Sequence, residues 1–365
     1  MLKEKVEKIK SFSEKYRFYI MPAVLLLGFF LDFLTLQRVD RLFDNMILIS
    51  HLFILGTTIA LLFAKDTSFG QRFGILRHAQ KIEYLMLFSF GAVFSGSIIF
   101  YSKSASIGSS WPFLLVLLIL MLGTEFQKKY FQRLVFQINF YFIAIFSYLI
   151  ILVPVLKRQM GPEIFLISGV ISLFLISFYF LILYTINGKR LEQYLKKLIV
   201  GILSLFVLFN FLYFTNIIPP IPLSLKFSGV YHSVFRVSDA NYVGTYEPGV
   251  WWNIFNKISR VVNRESGEPV YVFSSVFAPT RLDTKIYHQW QYFDPVKYKW
   301  VDSTKIELDI VGGREGGFRG YSLKRNLENG KWRVLIETER GQRLGQIRFK
   351  IQSKQGDVIL KEEVL

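Results

Sequence analysis

The chain has 365 residues, 52% of them hydrophobic and 19% charged, with 37 Phe and no Cys. That composition excludes a disordered chain, which needs low hydrophobicity, and an ordinary water-soluble domain of this length. The missing Cys excludes disulfides, Cys-ligated zinc and thiol catalysis. The 44 Lys and Arg exceed the 27 Asp and Glu, but they are so unevenly spread that the overall charge is a poor guide to partners.

In chain order, residues 1–17 form a basic segment of alternating Lys and Glu, expected to lie in the cytoplasm. Seven apolar runs follow between residues 18 and 218: Phe18–Leu34, Asn45–Phe63, Tyr84–Tyr101, Trp111–Phe126, Leu134–Val153, Ile164–Ile186 and Leu198–Ile218. About 20 residues of helix cross a hydrocarbon core of about 30 Å. Only a helix satisfies its own backbone in lipid, so the runs are predicted to be transmembrane helices. The fourth run is short and carries Glu125. With all seven crossing and the amino terminus inside, the inside loops hold 17 Lys and Arg and the outside loops 5. Without the fourth the split is 12 to 10. The positive-inside rule selects seven spans and an outward carboxyl-terminal half.

The prolines of Ile217-Ile-Pro-Pro-Ile-Pro222 stop the last helix and make residues 219–224 a stiff spacer. Residues 225–365 alternate with a period of two and predict strands over Val230–Val237, Pro269–Phe277, Lys285–Phe293, Lys299–Ile310, Phe318–Lys324, Trp332–Glu337 and Leu344–Ile351. Glu328-Asn-Gly-Lys331 predicts a hairpin turn, and Arg340-Gly-Gln a second one. An apolar stripe of Trp251, Phe255, Ile258 and Val262 predicts one helix over 251–262. The expected architecture is a membrane all-α bundle of seven transmembrane helices followed by a mostly-β, antiparallel, sandwich-like extracytoplasmic domain.

Within that domain, Tyr287-His-Gln-Trp290, Gly317-Phe-Arg-Gly-Tyr-Ser-Leu-Lys324, Gly330-Lys-Trp-Arg-Val334 and Leu344-Gly-Gln-Ile-Arg-Phe349 resemble the bacterial domain-of-unknown-function family 2914. The resemblance covers about residues 285–353 and leaves the membrane half unmatched. It implies a small sandwich-like module at the end of an envelope protein, without an established activity. His288, Trp290, Ser322 and Trp332 are the positions that fit its pattern.

Several residues are candidates for chemistry. His288 and Trp290 share a strand face, where imidazole beside indole suits a sugar or a titration; a core histidine beside a core tryptophan is the simpler expectation. Arg314 and Arg319 lie among the five glycines of Gly312–Gly320, a composition that suits an anion nest or, more simply, a long solvated loop. Trp251 and Trp252 suit a lipid surface or a glycan, against the simpler expectation of packing on a sheet. Asp32, His51 and Glu125 are ionisable residues near span ends, where interface placement or pairing with Arg38 or Arg41 suffices. No metal set and no motif for a cofactor is present, and nucleic-acid binding is disfavoured because topology accounts for the basic excess.

The sequence therefore leads us to expect a non-enzymatic inner-membrane protein, with the lipid bilayer as its solvent and an envelope glycan, peptide or protein as partner of its outward domain. The alternatives are a membrane-embedded enzyme or transporter in which Asp32, Glu125, His288 and Arg314 converge, and a sensor that needs a signalling partner.

Overall fold

The computed structural model describes the chain apart from residues 1–28, 37, 73, 105–106, 127–132, 220–221, 238–240, 250–256, 279–282, 312–316, 355 and 357. The basic segment 1–17 and most of the first apolar run lie outside the described residues, as do Trp251, Trp252 and Arg314. The chain divides into two compact units, one holding the helices and the other built around Asn216–Leu365.

The helical unit comprises α1 (Leu42–Ala64), the short α2 (Ser68–Arg72), α3 (Ile75–Ser104), α4 (Ile107–Phe126), α5 (Leu134–Lys157) and α6 (Pro162–Phe214). Among the described residues, four helices are long and apolar enough to cross a membrane, within α1, α3, α5 and α6, while the apolar part of α4 is shorter, Ser110–Gly123. The helix α6 joins the sixth and seventh apolar runs, but it is two helices: Asn187 has non-helical angles of φ −159° and ψ 83°. Phe165 and Tyr213, near its two ends, stack with ring centroids 3.8 Å apart. A straight helix would hold them about 72 Å apart, so the halves run back along each other as a hairpin. After Phe214, Asn216 adopts a left-handed φ of 59°, a usual helix stop.

α5 is the most enclosed helix, and tyrosines tie its neighbours together. Tyr101 on α3 donates to the Ser147 carbonyl at 2.9 Å. Tyr148 donates to Asn45 Oδ1 on α1 at 3.0 Å, and Tyr179 on α6 donates to the Gly56 carbonyl at 2.8 Å. Between apolar helices such bonds add to dispersion contacts, because no hydrophobic force separates side chain from lipid tail. Met46, Ile49 and Phe53 on α1 and Val170, Phe174, Leu203 and Val207 on α6 remain exposed, an apolar surface far beyond what a water-soluble monomer carries.

The second unit contains β1 (Ser224–Tyr231), β2 (Ser233–Arg236), β3 (Tyr242–Tyr246), β4 (Val261–Arg264), β5 (Val270–Phe277), β6 (Asp283–Asp294), β7 (Lys299–Val311), β8 (Phe318–Lys324), β9 (Gly330–Thr338), β10 (Arg343–Ser353) and β11 (Lys361–Val364). They form sheets ordered β1-β5-β8, β4-β10-β9-β6-β7 and β11-β3-β2. Antiparallel pairing dominates, and β4 runs parallel to β10. Val230, Val270 and Val272 of the first sheet and Trp290, Trp332, Val334, Phe349 and Ile351 of the second share one core, as expected of a sandwich.

Three expectations are corrected. Within the predicted helix 251–262, the described part is extended: Ile258 bridges Pro248 and Val261–Arg264 is β4, because a parallel partner on β10 recruits its β-branched residues. The Asn329-Gly330 turn is no hairpin, since β8 and β9 lie in different sheets; Gly330 has φ 141°, so the turn chemistry holds but carries the chain from one sheet to the other. The run Val230–Val237 is broken at His232 into β1 and β2. The second turn does close a hairpin, β9 to β10, with Gly341 at φ 76°.

The α6 hairpin yields a test. A Cβ on Gly169 would lie 2.7 Å from the Phe206 ring and 3.2 Å from the Phe146 ring, whereas one on Gly91 meets nothing within 4 Å. Gly169→Ala is expected to lower the thermal unfolding midpoint in detergent, by about 1–3 kcal/mol of overpacking. Gly91→Ala should leave it unchanged or raise it through helix propensity, by up to about 1 kcal/mol.

Candidate functional site

Two features of the β unit stand out: a polar cluster sealed in its core and a basic groove on its surface. His288 and Trp290 project from β6 with the alternation of a strand, and both are fully buried. Ser274 Oγ, from β5 of the opposite sheet, lies 2.8 Å from His288 Nε2. Ser322 Oγ, from β8, lies 2.8 Å from His288 Nδ1 and accepts the Trp290 indole N–H at 3.0 Å. Both ring nitrogens and the indole are thereby satisfied, with no face left for a ligand. Burial holds the His288 pKa down at about 3, so the imidazole is neutral, and one serine hydroxyl accepts from its ring N–H while the other donates to its bare nitrogen. Trp332 belongs to the same core, its indole N–H donating to the Glu328 carbonyl at 2.8 Å. The four positions that carry the family resemblance thus build the interior.

A second buried group ties the small sheet to β4. Glu247 accepts at 2.8 Å from His232 Nε2, at 2.6 Å from Asn263 Nδ2 and from the Asn263 backbone N–H. Burial alone would raise the carboxyl, but the hydrogen bonds from His232 and Asn263 outweigh it and hold its pKa below the ordinary value. Tyr231 donates to Glu363 at 2.6 Å, and burial together with that carboxylate pushes its phenol well above the usual range. Among the described residues no group of three His, Cys, Asp or Glu could hold a metal ion.

The groove has a volume of about 830 Å³. One wall is β1, which has a ladder partner, β5, on one side only. The other wall is Gln346–Arg348 of β10, next to the stretch Lys350–Ser353 that β4 pairs. At one end Leu225 seats on Gly345; beyond it the strands leave room between them. Lys226, Lys257, Arg260 and Arg348 line the groove and are all exposed. Glu363 is the carboxylate in its lining and is engaged by Tyr231. Sequence reasoning did not single out these cations, because they are brought together from positions more than a hundred residues apart. The even charge spacing along 225–365 gave no signal.

The other candidates lie outside the cluster and the groove. Arg319 donates to the Leu365 main-chain oxygen at 2.9 Å, which fastens β8 to the residue after β11. Asp32 does not pair with Arg38 or Arg41, which engage Asp40 at 2.8 Å and Asp44 at 4.0 Å; it accepts from Ser95 on α3 at 2.7 Å. His51 Nδ1 lies 3.3 Å from Ser89, also on α3. Glu125 falls on α4, with its side chain outside the description.

The fold and the buried cluster together define a β-sandwich module. Residues 283–351 match the family model described as a protein of unknown function, DUF2914. No curated protein matches the chain. Among solved structures, it is similar to an immunoglobulin-like protein from Pseudomonas aeruginosa, at 13% identity over 34% of this chain and 96% of that one, with a TM-score of 0.19. It is similar also to a Listeria innocua β-glucosidase bound to gluconolactone, at 11% identity over 33% and 17% of the two chains and a TM-score of 0.20. A Pseudomonas fluorescens alkylpurine DNA glycosylase bound to DNA with an abasic-site analog gives 10% identity over 87% and 100% and a TM-score of 0.23. None of these likenesses transfers a function to this chain.

The buried cluster predicts a pH dependence. An unfolded histidine takes up a proton near pH 6.5, whereas folded His288 resists it down to about pH 3. The unfolded chain binds more protons across that window, so stability falls as pH drops through it. His288→Gln is expected to be less stable at neutral pH but to flatten this decline in urea unfolding between about pH 6.5 and 4. Parallel pH curves for the two proteins would contradict the assignment. Ser322→Ala, which strips partners from an imidazole and an indole, is expected to lose about 1–3 kcal/mol.

Proposed function

We propose that this chain is a seven-span inner-membrane protein, with its amino terminus in the cytoplasm, that displays its β domain on the extracytoplasmic side. There it captures an extended acidic segment of an envelope protein by strand addition along β1. The observation that carries the reading is the groove between two strand edges, β1 and the first half of β10, ringed by four exposed cations. An extended chain lying there gains main-chain hydrogen bonds from the edge and charge pairing from the walls. A glycan would offer neither a ladder nor the matching charge unless it were itself acidic.

Support for the topology comes from the excess of Lys and Arg in alternate loops and from the hairpin at Asn187, which makes two passes of one long helix. The exposed apolar flanks of α1 and α6 suit lipid. The enzyme reading loses its base: His288 spends both ring nitrogens on serines inside a closed core.

Two measurements test the proposal. A reporter enzyme active only outside the cytoplasm should work when fused after Pro222 and fail when fused after Lys196; the reverse pattern overturns the topology. The full chain in detergent should bind a ten-residue peptide alternating Glu and Val, with fluorescence anisotropy as the readout. Lys226→Gln with Arg348→Gln should weaken it about tenfold, as loss of two exposed charge pairs implies. Equal binding of a backbone N-methylated peptide would rule out strand addition.

A further inference from the structure

A second cavity lies wholly within the helical unit. It has a volume of about 850 Å³ and sits where the end of α1, the first part of α3, the start of α5 and α6 just beyond Asn187 meet. Its lining holds four cations, Lys65, Arg133, Arg190 and Lys197, and one carboxylate, Glu83. The wall also contains Leu62, Phe63, Leu134, Val135 and Phe136. A basic rim over an apolar wall at helix ends has the polarity of a phospholipid turned inside out.

The cavity is built rather than incidental. Arg190 donates to the Phe63 carbonyl at 3.2 Å and to Asp66 at 3.1 Å, and its guanidinium lies 5.2 Å from the Phe63 ring centroid. It thereby stops the carboxyl end of α1, where a cation is favoured by the helix dipole, and pins the α6 hairpin beside it. Asn139 of α5, also in the lining, packs its amide against Gly201 of α6, which holds the second half of the hairpin against the start of α5. Basic loops on the inner face are ordinarily accounted for by topology, with each charge solvated separately. Here cations from three segments instead line one concave site with an apolar side.

We infer that this cavity binds the phosphate headgroup of an anionic phospholipid, with the cations around the phosphodiester and the first part of an acyl chain along the Leu62, Leu134 and Phe136 wall. The apolar wall selects a lipid over free phosphate, which would gain nothing from it. Basic pockets between transmembrane helices take such headgroups by the same pairing. The inference is independent of the β-domain groove, since none of its residues belongs to that unit.

The test uses the full chain in phosphatidylcholine nanodiscs, with and without phosphatidylglycerol, followed by thermal unfolding. Phosphatidylglycerol should raise the midpoint by about 3–5 °C. Lys65→Gln with Lys197→Gln, substitutions at sites that are half-buried and exposed, should remove at least half of that rise while leaving the midpoint in pure phosphatidylcholine unchanged. Native mass spectrometry should show retained phosphatidylglycerol on the wild type and less on the variant. An equal rise in both proteins overturns the site. So does a full rise produced by millimolar inorganic phosphate in phosphatidylcholine, which would replace the lipid by a free anion.

Discussion

The β domain depends on a polar cross-link through its core, between the β1-β5-β8 sheet and the β4-β10-β9-β6-β7 sheet. Ser274 and Ser322 stand on one sheet, His288 and Trp290 on the other, and their hydrogen bonds of 2.8 to 3.0 Å cross the middle of an otherwise apolar core. A valine or leucine core would hold the sheets together but would not choose among registers, because aliphatic side chains slide at little cost. A histidine that must find a serine on each nitrogen, beside an indole that must find one too, is satisfied in one register only. A shift of a single residue would turn His288 outward and leave the serines facing nothing. The network is therefore expensive to break and specific in what it permits.

Much of the sandwich was legible because its central strands obey a local rule. The runs Lys285–Phe293, Lys299–Ile310, Trp332–Glu337 and Leu344–Ile351 carry that signal, and β6, β7, β9 and β10 lie there. The short ones were not legible. Tyr242–Tyr246 contains Gly244, Lys361–Val364 is three-quarters charged, and Val261–Arg264 could be read as the end of a helical stripe. Each is a strand because a distant partner offers a ladder: β3 for β11 and β10 for β4. Such pairing is decided by tertiary contact, which propensity and period do not encode. The same limit explains Asn329-Gly330, where the turn residues and both flanking strands are legible but their pairing with each other is not.

The candidate sites divide along the same line. His288, Trp290, Ser322 and Trp332 form a set in the sequence only because they fit the pattern of the family the module resembles, and the structure brings all four to one core. Their burial selects the simpler expectation of a core histidine beside a core tryptophan over a binding face. The groove cations were invisible beforehand: Lys226 and Arg348 become neighbours only once β1 and β10 lie side by side. In the helical unit the loop charges were read correctly as abundant, but that Lys65, Arg133, Arg190 and Lys197 line one cavity follows from the fold of α6 at Asn187, for which the sequence offered a polar stretch and no geometry.

An open strand edge is a hazard, because any exposed ladder can pair with another copy and aggregate. Here the hazard and the proposed use have the same origin. Lys226 lies on β1, and Lys257, Arg260 and Arg348 lie beside it, so a second copy of β1 would bring its own lysine into an already basic groove. Like charges at that spacing repel, and the repulsion is not relieved by the main-chain bonds gained, because water satisfies those groups until a partner arrives. An acidic strand reverses the sign of the same interaction and loses nothing else. Selectivity at such an edge therefore needs no pocket for a particular side chain: the charges that keep identical domains apart are sufficient to choose a partner of opposite sign.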